Sequence, residues 1–347
     1  MTQQPLVGRC FVKSDQQAVH SFSRQFLDVA QQYANRCEVG RFALGDLSFD
    51  LYTRKEIPVS SRLTKAFFSS REERPDYSLV IWEDLADLKL PVANWRSNLH
   101  YPLGQIDERI SAPFRVAIDR HTGTISVYDT EQRLGAVWRS KLSELPYWSI
   151  ATPFRVILSW FADQSGDEFF HTAAVSRDGR ALLISGPSGS GKSTLSFFAA
   201  LNGYELISDD FTLVRKNRAY AVYTRGKLHE GNAFFELVNG GISVEPGNSG
   251  EKRIIDLLVP PIRIARSAEI CGVVLPIVTG LTAYARIRTA EAYRLVAPYS
   301  ISGLLGGNRD SLKRISSLIK DFPAIRLALS DDPSENLSAL DKIFAQL

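Results

Sequence analysis

Between Ser14 and Arg36 the apolar residues Val19, Phe22, Phe26, Val29 and Tyr33 recur at steps of three and four. That spacing predicts an amphipathic helix whose apolar stripe packs against a core. Beyond it the period changes to two. Leu47/Phe49/Leu51, Leu79/Ile81 and Phe114/Val116/Ile118 alternate as half-buried strands, and Thr122-Gly123 turns the last of these into Ile125/Val127. Residues 40 to 140 are therefore expected to be rich in β-structure. No catalytic set is recognisable among them, which leaves a structural or substrate-recognition role.

A boundary is expected near Leu145-Pro146, dividing the chain into residues 1–148 and 149–347. After it, Thr152 as N-cap and Pro153 at the first helical position should open a helix with Phe154, Ile157, Leu158 and Phe161 inward. There follow a strand from Phe169 to Val175, an Asp178-Gly179 turn, a strand from Ala181 to Ser185 and a Gly-rich loop. A helix stopping before Gly203 and a strand leading to Asp209-Asp210 come next. Such alternation marks an α/β domain. Toward the C-terminus, Asn308 can cap a helix bearing Leu312, Ile315, Leu318 and Ile319. A strand through Ile325, Leu327 and Leu329 and a last helix with Leu337, Leu340 and Ile343 complete the packing elements. Gly240-Gly241 and the stretch Glu245 to Gly250 mark loops.

With 44% apolar residues in a chain of 347, a full core can be buried. The 41 Lys+Arg and 38 Asp+Glu leave a formal charge of +3 and are scattered, so nucleic acid is not expected as a partner. Cys10, Cys37 and Cys271 lie far apart with no CxxC pair, which points to inert thiols and away from zinc or redox chemistry. The chain does not open with a basic patch and an apolar stretch. Its longest apolar run, Ile270 to Val278, is far short of the roughly 20 residues that span a bilayer. A cytoplasmic protein without membrane association is the expectation.

Chemistry is concentrated after the apolar strand Leu182-Leu183-Ile184-Ser185, which runs directly into Gly186-Pro187-Ser188-Gly189-Ser190-Gly191-Lys192-Ser193, a G-x-x-x-x-G-K-S loop. A phosphate chain is held best by several backbone N–H groups aimed into one hollow, and glycines are needed wherever a Cβ would block the approach. Gly186, Ser188, Gly189, Ser190, Gly191 and Thr194 are the expected cradle. Lys192 supplies a cation for the β and γ phosphates, the helix start adds its positive dipole end, and the Ser193 hydroxyl can ligand Mg²⁺. ATP with Mg²⁺ is the expected cofactor pair.

Two acidic residues at a strand end are ordinarily solvated, but position argues otherwise for Asp209 and Asp210. The helix after the loop climbs about 1.5 Å per residue and the strand from Tyr204 to Ser208 returns at about 3.3 Å per residue, so both carboxylates should come back beside the loop. One can hold Mg²⁺ and the other can accept a proton from an attacking hydroxyl. His171 follows from the hairpin: with Asp178-Gly179 as central turn residues, it should face Gly186 across the ladder.

Taken together, His171, the GPSGSGKS loop and Leu206-Ile207-Ser208-Asp209-Asp210 resemble the HPr kinase/phosphorylase family over about fifty residues. The resemblance implies a kinase domain with a phosphate-loop fold related to phosphoenolpyruvate carboxykinase, here preceded by a β-rich N-terminal domain. It further implies Mg²⁺-dependent phosphorylation of a serine hydroxyl, with Asp209 as base, Asp210 as metal partner, and Lys192 and His171 in catalytic roles. The family's downstream Glu-x-Arg-Gly signature has no match, since Thr224-Arg225-Gly226 comes early and lacks the glutamate. A substrate other than HPr is implied, for which a peptide or small protein is expected, guided by Arg225, Lys227, Lys252 and Arg253 on loops. A kinase of free serine or a sugar and a non-catalytic nucleotide-binding module are the alternatives, and a homo-oligomer stays open.

Overall fold

The computed structural model describes residues 13–54, 74–94, 104–141, 149, 151–229, 244–245, 252–257, 262–302 and 309–347. The helical stripe read from the sequence forms α1 (Lys13–Ala34), followed by β1 (Glu38–Leu44), β2 (Leu47–Thr53), β3 (Tyr77–Trp82), the short α2 (Glu108–Ser111), β4 (Phe114–Asp119), β5 (Thr124–Asp129) and β6 (Leu134–Arg139). These strands make one mixed sheet in the order β1-β2-β3-β6-β5-β4. α1 covers one face of it, where Val19, Phe22, Phe26 and Tyr33 meet Val80, Trp82, Val127 and Ala136.

The other face is covered by α3 (Arg155–Gln164), with Ile157 and Phe161 against Leu79, Ile81 and Val137. Successive residues of β3 thus serve opposite faces, as a strand's period of two requires. Phe161 stacks on Tyr77 at 4.4 Å between ring centroids. The helix does not start where Thr152-Pro153 predicts. Phe154 precedes it in the left-handed region at φ 58°, and the Tyr223 hydroxyl donates to the Pro153 carbonyl at 2.9 Å, so a tertiary contact overrides the local start signal.

The second sheet holds β7 (Glu168–Phe170), β8 (Ala173–Arg177), β9 (Arg180–Ile184), α4 (Lys192–Leu201) on its flank, β10 (Glu205–Ser208), β11 (Thr212–Arg215) and β12 (Arg218–Tyr220). A separate small sheet joins β13 (Arg225–His229), β14 (Val244–Glu245) and β15 (Lys252–Asp256). The chain then adds β16 (Ser267–Val278), β17 (Ala283–Arg286), α5 (Thr289–Ser302), α6 (Arg309–Asp321), β18 (Ala324–Leu329) and α7 (Pro333–Gln346). β10-β8-β9-β16 lie side by side, and β18 pairs β16. Leu182 and Ile184 pack toward α4 and α7, while Ala181 and Leu183 pack toward α5 and α6, so helices cover both faces. The whole is a mixed α/β structure.

One core joins the two sheets, because Phe169, Phe211, Leu213 and Tyr220 share a cluster with Phe42, Phe49 and Leu79. Arg314 of α6 ties the same region by pairing with Asp163 of α3 and, at 2.7 Å, Glu168 of β7, while Arg115 of β4 reaches Asp163 at 2.6 Å. Cys37 and Cys271 are free thiols, and burial raises both, Cys37 to about 11, which makes them poor nucleophiles. Cys10, Asn308, Gly240-Gly241 and most of the loop after Glu245 lie outside the described residues. Among those described, no helix is long and apolar enough to cross a membrane.

Candidate active site

The Asp178-Gly179 turn adopts positive φ at both residues, 53° and 75°, and fixes the register from Arg177↔Arg180 to Ala173↔Ile184. The expected extension of that ladder to His171 does not form. The predicted single strand is split into β7 and β8 around His171-Thr172, and β7 crosses over to pair with β11. His171 instead donates from Nε2 to Asp210 Oδ1, 2.8 Å away, and stacks on Phe211 at 4.9 Å.

Strand directions explain why these groups meet. β8 is antiparallel to β9 and β10 is antiparallel to β8, so β10 runs parallel to β9. The glycine-rich loop after β9 and the acidic pair after β10 therefore emerge at one edge of the sheet. In the loop, Pro187, Ser188 and Gly189 are exposed, while Gly186 and Ser190 are buried. Lys192, the first residue of α4, is buried and donates from Nζ to the carbonyls of Gly186 (2.8 Å) and Pro187 (2.9 Å), which holds its ammonium at the loop. The Ser190 hydroxyl is sealed from solvent without a hydrogen-bond partner among the described residues. Ser193 and Thr194 follow on the first turn of α4, half-buried.

Asp209 lies deeper than Asp210. Its Oδ2 accepts the backbone N–H of Lys227 at 2.8 Å. That approach requires Gly226, because a Cβ there would meet the Phe197 ring at 2.4 Å and Asp209 Oδ2 at 3.3 Å. Burial first, then the charge of Asp210, push the Asp209 carboxyl up; the Ser193 hydroxyl, the Lys227 N–H and the Lys227 charge oppose this. Asp209 Oδ1 is buried and lacks a hydrogen-bond partner of normal geometry among the described residues, although Ser193 is near enough to stabilise its charge. A cation beside Ser193 and Oδ1 would satisfy that oxygen. No group of three or more His, Cys, Asp or Glu among the described residues could hold a metal alone. One carboxylate oxygen beside a hydroxyl is a donor set that Mg²⁺ could complete with phosphate oxygens and water.

Asp210 is in a different setting. Burial would raise its carboxyl, but the charges of Lys227 and His171 and hydrogen bonds from both outweigh it and hold the group well below the ordinary carboxylate range. Lys227 Nζ lies 2.5 Å from Oδ2. Lys227 is not on a loop as the sequence suggested: Arg225 and Lys227 belong to β13, Lys252 and Arg253 to β15, and Lys227 pairs with Ile254 across that ladder. Arg225 pairs with Asp256 at 3.5 Å.

Two groups escaped the sequence reading. Phe211 links the core to the site by stacking on Phe169 (5.5 Å) and on His171. Arg155, directly after the left-handed Phe154, carries its guanidinium over Phe211 at 5.9 Å and makes no hydrogen bond or ion pair among the described residues. The available signal was the residue after Asp209-Asp210 being aromatic; nothing local marks Arg155.

No family model matches this chain, and no curated protein matches it. A solved structure does resemble it. The Hpr(Ser) kinase/phosphatase from Coxiella burnetii is similar over 52% of this chain and 99% of its own, at 14% identity and a TM-score of 0.26.

Proposed function

We propose that this chain binds a nucleoside triphosphate with Mg²⁺ at its glycine-rich loop and transfers the terminal phosphoryl group to a serine hydroxyl on a peptide or small protein, as a phosphate-loop kinase of the HPr kinase type. The observation that carries the reading is the meeting, at one sheet edge, of Lys192 with a buried aspartate, Asp209, and a half-buried one, Asp210, in unlike environments. Asp209, beside Ser193, is the better metal partner. Asp210, bound to His171 and Lys227, is the better proton acceptor, which reverses the division of roles expected from the family resemblance.

Lys192 would turn from the Gly186 and Pro187 carbonyls to the phosphates. Mg²⁺, when bound, neutralises charge on the phosphate oxygens. The acceptor oxygen attacks the γ phosphorus, the bond to the bridging oxygen breaks, and the nucleoside diphosphate leaves; the hydroxyl proton passes to Asp210. A carboxylate kept ionised by Lys227 suits this, because in a loose phosphoryl transfer the base mainly orients the hydroxyl and takes the proton late.

A second reading, a kinase of free serine, is favoured by Arg155. A guanidinium that lies over the Phe211 ring and makes no hydrogen bond or ion pair among the described residues, on the His171 side of the site, suits an acceptor carboxylate. Incubation with ATP, Mg²⁺ and either peptides or free serine, scored by mass spectrometry, tests both. Phosphoserine in a peptide is the expected product; phosphorylation of free serine with no peptide product would replace the first reading by the second.

A further inference from the structure

A phosphate chain seated on the loop has two flanks, and they differ. On the β10 side stand Asp209, Asp210 and His171. On the other side, β16 is parallel to β9 and β18 is parallel to β16, so Val278 and Leu329 end at the same sheet edge as the loop. Between those ends and α4 lies a cleft of about 310 Å³. Gly191 forms its border with the loop: a Cβ at Gly191 would come within 2.5 Å of Leu329 Cδ1.

Leu195, Phe198, Val278, Leu329 and Pro333 give this cleft an apolar lining, and Thr194 on the first turn of α4 and Asp331 in the chain after β18 add polar groups to it. Asn336 holds that chain in place: its Oδ1 accepts the Ser330 N–H at 3.0 Å and its Nδ2 donates to the Ser330 carbonyl at 2.8 Å. Val278, on the wall of the cleft, is 56% exposed and so open to a ligand from solvent. The volume is at the lower limit of small-molecule pockets, roughly 300 Å³, and crevices beyond the carboxyl ends of parallel strands are where nucleotides bind in open α/β sheets.

We infer that this cleft is the nucleoside subsite, taking a purine base between its apolar walls, with the phosphate chain entering past Thr194 and its terminal group directed to the aspartate flank. The assignment rests on the nucleotide reading of the loop. It places donor and acceptor on opposite sides of the loop, so the nucleoside never competes with the acceptor for the His171 side.

The test compares ATP with inorganic tripolyphosphate, each titrated calorimetrically with Mg²⁺ into the full chain and into Val278→Trp, whose indole fills the cleft from its exposed side. ATP should weaken by about tenfold or more while tripolyphosphate stays within about twofold. A photoreactive azido analogue of ATP should label the unaltered chain within residues 191–198 or 326–337. An unchanged ratio of ATP to tripolyphosphate affinity, with labelling elsewhere, would overturn the subsite and leave the loop assignment standing. Failure of both ligands to bind the unaltered chain would overturn the two together.

Discussion

The two sheets bury different things. In the first, β3 is sealed on both faces by Tyr77, Leu79, Val80, Ile81 and Trp82, and the helices over it contribute Phe22, Phe26, Ile157 and Phe161. In the second, the edge at the ends of β9 and β10 buries Lys192 and Asp209 and half-buries Asp210, His171 and Lys227. An apolar interior needs no particular partner. Ionised groups out of water do, and they persist only where each is matched or where a ligand completes the set. Under the proposed function the first sheet is scaffold and the second carries the chemistry.

The sharpest way to break this contrast is to neutralise the two aspartates separately. Asp210→Asn should lower phosphoryl transfer by about a hundred- to ten-thousandfold with ATP affinity little changed, whereas Asp209→Asn should shift the Mg²⁺ dependence of binding. Steady-state kinetics with calorimetry decide it, and the opposite pattern would restore the roles implied by the family resemblance. On the scaffold side, Phe161→Ala should cost about 3–5 kcal/mol in denaturant unfolding while the folded fraction keeps its nucleotide affinity. Loss of affinity in the folded fraction would show that the sheets are not separable in this way.

A smaller effect concerns Asp167, just before β7. Burial raises its carboxyl to about 6, with Arg215, 3.6 Å away, opposing the shift. An acid whose folded value exceeds its unfolded value of 3.8 contributes stability at low pH that is lost as pH rises through about 6. Asp167→Asn should therefore stabilise the chain more at pH 7 than near pH 4, by about 1–3 kcal/mol. Urea unfolding at the two pH values checks this, and an equal effect at both would remove the buried charge from the account.

How much of this was legible in the sequence follows from how local each signal is. The α1 stripe, the Asp178-Gly179 hairpin and the glycine-rich loop depend on neighbours within a few residues, and each formed where its pattern lay. The ladder that would set His171 opposite Gly186 stops two residues sooner, because Phe170 pairs with Thr212 of β11. The loop expected around Lys227 is a strand instead, because β13 finds its partner in β15, beyond the reach of periodicity. The helix α5, with Pro298 inside it, was not foreseen at all, since an internal proline argues against a helix and packing of Ala292 and Val296 against the second sheet overrides it.

If the loop ending in Lys192 and Ser193 is a nucleotide site, calorimetric titration of ATP with Mg²⁺ into the unaltered chain and into Lys192→Ala will show it. Saturable binding to the unaltered chain and a loss of about a hundredfold or more in the variant are expected, with thermal unfolding preserved. Equal affinity in both proteins, or no binding to either, would contradict it.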